Sequence, residues 1–110
     1  MKSISSLSAY EEALSTGQVE TVMIFNSNWC KDSAALAPYV DRLEPIFPTL
    51  DFYWVEREKV PVIAKHLNIY GVPSILYYHK DQLIATYIDP YPKTIGMIVE
   101  FIERSRQGRT

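Results

Sequence analysis

Hydrophobic and polar positions follow two alternating patterns along the chain, one typical of helices and one typical of strands. The segment SLSAYEEALSTG, residues 6–17, has the apolar spacing of a short helix. Ser8 and Glu11 stand at capping-box spacing and predict its start, and Gly17 predicts its end. The segment TVMIF, residues 21–25, is a continuous apolar run with β-branched and aromatic side chains. It predicts a strand that is buried on both faces.

A second helix is predicted directly after Cys30, because residues 34–37 are mostly strong helix formers. Pro38 interrupts this segment and predicts a kink, since proline removes a backbone donor and its ring crowds the preceding turn. The helix is expected to end near Pro45 or Pro48.

The second half of the chain predicts a strand, a helix, a hairpin and a final helix. DFYWVERE, residues 51–58, is rich in aromatic and β-branched side chains and predicts the strand. PVIAKHLN, residues 61–68, predicts a short helix that accepts proline in its first turn. SILYY and LIATYI flank the polar residues 79–82 and predict a β-hairpin. The last helix is predicted from an apolar stripe made of Ile95, Ile98, Val99 and Ile102.

The predicted order of elements is α-β-α-β-α-β-β-α, with an edge strand at residues 2–5. A strand–helix–strand unit followed by a helix and a hairpin predicts a three-layer α/β sandwich with a mixed sheet. The 110 residues suit one domain, residues 1–110, with one core.

Charge and composition exclude several classes of function. The formal net charge is −2, and the only cationic cluster is Arg104, Arg106 and Arg109, which is typical of a helix C-terminus. No nucleic-acid partner is therefore expected. No apolar stretch reaches the ~20 residues of a membrane helix, and the polar N-terminus lacks a signal-peptide core. One cysteine cannot form an internal disulfide, and a free thiol suits a reducing cytosol. We therefore expect a cytoplasmic protein, and the lack of a long apolar stretch predicts no membrane contact.

The candidate chemistry lies in SNWCKDSAALAP, where a predicted strand passes into a predicted helix at Cys30. Backbone N–H groups at a helix N-terminus favour a reactive thiolate, and Lys31 should assist this effect while Asp32 should oppose it. The Ser33 hydroxyl is one turn into the helix and is able to donate a hydrogen bond to that thiolate.

A second motif, Tyr70 followed by GVPS at residues 71–74, leads directly into a strand. Together with Trp29-Cys30 and the kink at Pro38, this motif resembles the thioredoxin family over nearly the whole chain. The sequence WCKDS is similar to a bacterial subgroup with the pattern Trp-Cys-x-Asp-Cys, with Ser33 in place of the second cysteine. The resemblance implies the thioredoxin fold, in which helices flank a mixed central sheet.

The resemblance also implies roles for single residues. Cys30 would be the attacking cysteine, and Pro73 would form a cis peptide bond and lie against it. The Val72 backbone would pair with an extended substrate segment. The substrate groove would be formed by Trp29, Lys31, Asp32, Tyr70, Val72 and Pro73, with the loop at residues 89–91 completing an apolar rim.

Two departures from the family shape the functional prediction. Ser33 replaces the resolving cysteine, so a mixed disulfide at Cys30 would wait for an external thiol. The family often has a buried aspartate six residues before the nucleophile, and here that residue is Ile24. The resemblance therefore implies a monothiol thiol–disulfide oxidoreductase-like enzyme of cell redox homeostasis. Its partners would be disulfide-bearing or thiol-capped proteins, with a small cellular thiol as resolver.

Three alternatives remain open from the sequence. The chain is also consistent with a redox-inactive binding module, whose groove beside Pro73 holds a peptide. Ser33 is consistent with an engineered Cys-to-Ser change in a dithiol oxidoreductase. Cys-x-x-Ser also occurs in monothiol glutaredoxins, although Trp29 fits the thioredoxin family better and no Gly-Gly pair follows residues 71–74. No cofactor is expected, and no metal, because His66 and His79 lie apart without partners at ligand spacing.

Overall fold

A computed structural model describes residues 1–108, which form one five-stranded sheet with helices on both faces. The strands are β1 (Lys2–Ile4), β2 (Glu20–Asn26), β3 (Leu50–Glu56), β4 (Ser74–His79) and β5 (Gln82–Tyr87). The helices are α1 (Leu7–Thr16), α2 (Lys31–Leu36), α3 (Leu43–Ile46), α4 (Pro61–His66) and α5 (Ile95–Gly108). Short 3₁₀ segments follow α2 and β3, at Ala37–Arg42 and Arg57–Lys59.

The strand order is β1-β3-β2-β4-β5, with β2 in the centre. The pairs β1–β3 and β2–β3 are parallel, whereas β4 runs antiparallel to β2 and β5. All of β2 is buried, as its continuous apolar run predicts. The mixed sheet confirms the predicted fold class.

Alternate side chains of β2 contribute to two separate cores. Met23 and Phe25 pack with residues of α1 and α4 on one face of the sheet. Val22 and Ile24 pack with residues of α2, α3 and α5 on the other face. This two-sided packing follows from the period of two along a strand, and it produces three layers.

The start of α1 differs from the capping-box prediction. Ser6, rather than Ser8, has the extended backbone of an N-cap, and its hydroxyl accepts a hydrogen bond from the Ala9 amide at 3.1 Å. Ser6 stands three residues before Ala9, which is the spacing that this cap requires. Gly17 ends the helix as predicted.

Other boundaries shift by a few residues at proline or at the edge of the sheet. The helix after Cys30 becomes a 3₁₀ segment around Pro38, where the predicted kink lies, and resumes as α3. β3 ends at Glu56 and not at residue 58, because the following residues turn away as a 3₁₀ segment. Strand β1, the hairpin and the apolar stripe of α5 are confirmed.

The cationic end of α5 is bonded to neighbouring acids, an arrangement that the dipole interpretation did not predict. Arg106 donates two hydrogen bonds of 2.8 Å to the carboxylate of Glu20 on β2, and Arg104 pairs with Glu100 one turn earlier. Arg109 lies outside the described residues. Within residues 1–108, none of the helices combines the length and the apolar character needed to cross a membrane.

Candidate functional site

Cys30 lies where the buried central strand gives way to α2. The strand ends at Asn26, the chain turns through Ser27, and Cys30 is the extended N-cap of the helix. The Cys30 amide donates to the Ser27 carbonyl at 3.1 Å, and its carbonyl accepts from the Ala34 amide at 3.0 Å. These two hydrogen bonds hold the backbone of Cys30. The residue stays partly exposed, and its thiol is not part of a disulfide.

The loop before β4 approaches the thiol. Cys30 Sγ donates a long hydrogen bond of 3.5 Å to the Val72 carbonyl oxygen. The Val72–Pro73 peptide bond is cis, as the family resemblance implies. The Ser74 hydroxyl closes the loop by donating to the Gly71 carbonyl at 2.6 Å. Two segments that are distant in the sequence therefore meet at the sulfur.

Gly71 is required by close contact with a neighbouring loop. A Cβ on this residue would lie 2.5 Å from the backbone nitrogen of Pro90 and 2.6 Å from the carbonyl carbon of Asp89. Real side chains do not approach a backbone so closely, so a larger residue would push the two loops apart. The glycine thus lets Pro90 form part of the same surface as Cys30.

The loop that carries Pro90 is held by a buried lysine. Lys93 Nζ donates to the Asp89 carboxylate at 2.7 Å and to the Tyr91 carbonyl at 2.9 Å, and it lies 4.8 Å from the centre of the Tyr87 ring. Burial tends to raise the pKa of Asp89, but the hydrogen bonds from Lys93 and from the Tyr91 amide outweigh it, so this pKa is lowered. The ion pair therefore favours the ordered loop while Asp89 is ionised.

These segments enclose a cleft of about 200 Å³ with the thiol in its wall. The cleft is lined by Trp29, Cys30, Arg57, Tyr70, Gly71, Val72 and Pro90. Trp29 and Tyr70 are 74% and 62% exposed, so both residues offer aromatic surface to solvent at the cleft. Exposed aromatic rings beside a partly exposed thiol form a surface suited to another molecule.

The predicted groove residues separate into two sets. Trp29, Tyr70 and Val72 line the cleft with Cys30, and Pro73 is buried directly after Val72. Lys31 is exposed on α2, and Asp32 lines a different groove of about 540 Å³ between α2 and the loop before α5. In the 3.6-residue period of α2, Asp32 faces another direction from Cys30, which explains the separation.

Ser33 is 2% exposed, so its side chain lies in the interior, three residues after Cys30 in the sequence. Its hydroxyl oxygen accepts a hydrogen bond from the Ser27 amide at 3.3 Å, while the Ser27 hydroxyl donates to Glu58 at 2.7 Å. Within the described residues, the hydrogen bonds of Ser33 and of the Cys30 thiol go to different partners, which differs from the predicted bond between them.

Ile24 is fully buried, as a position in the central strand requires. It pairs with Trp54 of β3 and with Ile75 of β4, and it belongs to the core beneath α2 and α5. No proton-accepting side chain is present at this position, because isoleucine has no titratable group.

Arg57 was missed by the sequence analysis, which placed it inside a strand. It begins the 3₁₀ turn after β3, and its Nε donates to the Ile69 carbonyl at 2.6 Å. Its Nη1 lies 3.8 Å from a carboxylate oxygen of Glu58. A polar run between a parallel strand and a helix signals a loop at the carboxyl edge of a sheet, where ligands commonly bind, and this signal would have found it.

The described part of the chain holds no cluster of three or more histidine, cysteine or acidic side chains arranged for a metal ion. His66 ends α4 and His79 ends β4, so the two side chains lie in different elements. The candidate site therefore consists of the Cys30 thiol, the cleft around it and the Arg57 guanidinium in the wall of the cleft.

A family model described as thioredoxin matches residues 2–104. Thioredoxin-2 of Saccharomyces cerevisiae is 22% identical over 96 residues, which is 87% of this chain and 92% of the yeast protein. Thioredoxin domain-containing protein 15 of Rattus norvegicus is 30% identical over 67 residues, which is 61% of this chain and 20% of that protein.

Solved structures with the same fold agree with the sequence relatives. Plasmodium falciparum thioredoxin superposes with a TM-score of 0.82 and 17% identity, over 94% of this chain and 98% of that one. Fasciola hepatica thioredoxin superposes with a TM-score of 0.81 and 17% identity, over 96% of this chain and 99% of that one. At these identities the structures establish the fold.

Proposed function

Since the chain belongs to the thioredoxin family, whose chemistry is thiol–disulfide exchange, we propose that it is a monothiol exchange protein with Cys30 as the reacting sulfur. The observation that carries this proposal is the position of the thiol. Cys30 is partly exposed in a cleft, its Sγ lies 3.5 Å from the Val72 carbonyl oxygen, and the residue three positions later, Ser33, is a buried serine. The arrangement supports attack by Cys30, and the chain has no second thiol to resolve the mixed disulfide.

The first step exchanges one sulfur–sulfur bond for another. The Cys30 thiolate attacks one sulfur of a partner disulfide, a bond forms between Cys30 Sγ and that sulfur, and the partner's other sulfur leaves as a thiolate. That leaving thiolate takes a proton from solvent when its own basicity requires it. No net oxidation occurs, because one disulfide is replaced by one mixed disulfide.

The second step needs a thiol from outside the chain. An external thiolate attacks the mixed disulfide, forms a new disulfide with the partner's sulfur or with its thiol cap, and releases Cys30 as a thiolate. Ser33 cannot take this role, since a hydroxyl forms no disulfide. A reducing compartment such as the cytosol contains small thiols for this step and keeps Cys30 reduced between cycles.

The cleft supports binding of an extended partner segment. Val72 lines the cleft next to the sulfur, which supports pairing of its backbone with an extended chain in the manner of strand addition. Trp29 and Tyr70 add exposed aromatic surface to the same cleft. Disulfide-bearing or thiol-capped proteins are therefore the proposed partners.

The experiment measures release of a mixed disulfide formed between Cys30 and a reporter peptide. The wild-type protein should hold the peptide until a small thiol is added, and the release rate should rise in proportion to the thiol concentration. Ser33→Cys introduces a second thiol at the position of the family's resolving cysteine, and it should release the peptide without added thiol.

Ser33→Ala is the matched control, because it removes the hydroxyl without adding a sulfur. It should depend on external thiol as the wild type does. Release from the wild-type protein at the same rate with and without thiol would contradict the monothiol proposal.

A non-catalytic binding module is the second candidate, favoured by the exposed rings of Trp29, Tyr70 and Tyr91. The alkylation rate of Cys30 at neutral pH separates the two candidates. A rate well above that of a free cysteine in an unstructured peptide supports exchange. A slow rate, combined with tight peptide binding by Cys30→Ala, would favour the binding module.

A further inference from the structure

We propose that Arg57 makes the cleft selective for thiols and disulfides that carry a carboxylate close to the reacting sulfur. This inference rests on the exchange function proposed for Cys30. It names the chemistry of the partner, which the position of Cys30 alone does not specify.

The geometry places one cation in the wall of the cleft. Arg57 and Cys30 line the same space of about 200 Å³. The other lining residues, Trp29, Tyr70, Gly71, Val72 and Pro90, carry no charge. Among the described residues that line this cleft, Arg57 is therefore the charged side chain that a bound molecule meets beside the sulfur.

The guanidinium is anchored but retains donors. Its Nε donates to the Ile69 carbonyl at 2.6 Å, which fixes the end of the side chain near α4. The structure assigns no hydrogen bond to its Nη groups within the described residues, and the side chain is 32% exposed. Guanidinium donors in this state are suited to two parallel hydrogen bonds with a carboxylate.

Glu58 competes only weakly for the same charge. Its carboxylate lies 3.8 Å from Arg57 Nη1, beyond hydrogen-bond distance, and it accepts the Ser27 hydroxyl at 2.7 Å. The Ser27 bond holds this carboxylate at the base of the loop. Arg57 is thus partly balanced by Glu58 and still able to bind a second anion.

The size of the cleft limits what enters it. A cleft of about 200 Å³ is small for a ligand pocket, and it suits a short thiol acid or one acidic side chain. The shared chemistry is a carboxylate a few bonds from sulfur. It has two sources: a small cellular thiol acid that resolves the mixed disulfide, and a protein segment with an acidic residue beside its cysteine.

The test compares three small disulfides as partners of Cys30. They are 3,3′-dithiodipropionate, which is anionic, bis(2-hydroxyethyl) disulfide, which is neutral, and cystamine, which is cationic. Cys30 forms a mixed disulfide with each probe and releases one equivalent of its thiol, so both products are counted by mass spectrometry. The anionic-to-neutral rate ratio is divided by the same ratio for a free cysteine derivative, which removes the intrinsic reactivity of the probes.

The wild-type protein should show a corrected ratio above one and should react more slowly with the cationic probe. Arg57→Gln should lower the ratio about three- to fivefold, the size expected of a partly exposed ion pair. Arg57→Lys should retain part of the preference, because it keeps the charge but not the planar fork. Arg104→Gln, which removes a cation far from the cleft, is the matched control and should leave the ratio unchanged.

Glu58→Gln keeps the test decisive if Arg57→Gln destabilises the fold. It removes the competing carboxylate, so the ratio should rise. An unchanged ratio in both Arg57→Gln and Glu58→Gln would overturn the inference while leaving the exchange function intact. Failure of Cys30 to react with any probe would instead contradict the exchange function.

Two peptide disulfides separate the two sources of carboxylate, one with Glu and one with Gln next to the cysteine. If the Glu peptide shows the larger Arg57-dependent preference, the acidic protein segment is the favoured partner. If dithiodipropionate shows the larger preference, the small thiol acid is favoured. Equal rates for the Glu and Gln peptides in wild type and in Arg57→Gln would exclude the protein source.

Discussion

The two ends of the central strand β2 hold polar side chains in opposite ways. At its start, Glu20 is 7% exposed, accepts two hydrogen bonds from Arg106 and accepts another from the Tyr77 hydroxyl. Beyond its other end, Cys30 is partly exposed and donates one long hydrogen bond to Val72. One end satisfies a buried charge, while the other leaves a reactive atom accessible.

The difference shows how one strand serves both stability and chemistry. A buried carboxylate without partners would cost several kcal/mol, so the Glu20 end is bonded on several sides. The Glu20 hydrogen bonds raise the pKa of Arg106 further above its ordinary value, despite the opposing effect of burial. A nucleophile needs the reverse, because a sulfur that is fully bonded and buried cannot reach a partner.

Removing the Cys30 sulfur should give the largest effect, and this effect should be on exchange and not on stability. Cys30→Ser should abolish mixed-disulfide formation, because no other residue of the chain is a thiol. The free energy of unfolding should change by less than about 0.5 kcal/mol, as expected of a partly exposed site. Mass spectrometry and urea unfolding measure the two quantities, and a residual mixed disulfide in this variant would contradict the assignment.

Removing the Glu20 charge at the start of β2 should have the opposite outcome, with lower stability and an unchanged exchange rate. Glu20→Gln weakens the ion pair with the partly exposed Arg106 and should lower the free energy of unfolding by about 2–3 kcal/mol. The exchange rate of the folded protein should stay near the wild-type value. Glu12→Gln, on the exposed face of α1, is the matched control and should change stability little. Equal stability of the two variants would remove the contrast between the ends.

A side chain at Gly71, near the Cys30 end of β2, should lower both the stability and the exchange rate. Gly71→Ala places a methyl group against the backbone of Asp89 and Pro90, and should cost about 1–3 kcal/mol of stability. The exchange rate should fall about tenfold, since a misplacement of ~1 Å can cost more than this at a reacting centre. Gly96→Ala is the control, because its Cβ meets only Thr94 Oγ1 at 3.9 Å, and it should be neutral or stabilising. A normal exchange rate in Gly71→Ala would show that this loop contact does not position the cleft.

The smallest effect is expected from acid titration of the loop beside the cleft. The pKa of Asp89 is lowered in the folded protein, so the unfolded chain binds this proton more readily. The contribution of Asp89 is therefore present above the ordinary aspartate pKa and is lost as the pH falls through the folded value. It should amount to on the order of 1 kcal/mol, because the ion pair is partly exposed.

Urea unfolding of the wild type and of Asp89→Asn between pH 7 and pH 3 measures this contribution. The difference between the two proteins should shrink toward the acid end of the range. A difference that is constant with pH would show that the carboxylate contributes no titrating stabilisation.

Local patterns predicted most of the elements, and their errors have local causes. The capping box at Ser8 and Glu11 has the correct spacing, but Ser6 is the residue whose extended backbone caps the helix. Two overlapping serine signals cannot be separated without the backbone conformation. Aromatic and β-branched residues precede Arg57 and extend the predicted strand through it, although the polar residues 56–59 mark the place where the sheet ends.

The sequence by itself determined the buried central strand, the helix that begins after Cys30, the proline-containing loop at residues 71–74 and the absence of a second thiol. These features depend on periodicity, backbone restriction and residue identity, which act over a few neighbouring positions. Only the tertiary structure decided that Arg57 lines the cleft with Cys30 and that Arg106 reaches Glu20. Such pairs depend on the order of the strands in the sheet and on which loops meet at its edge. No local pattern encodes those long-range contacts.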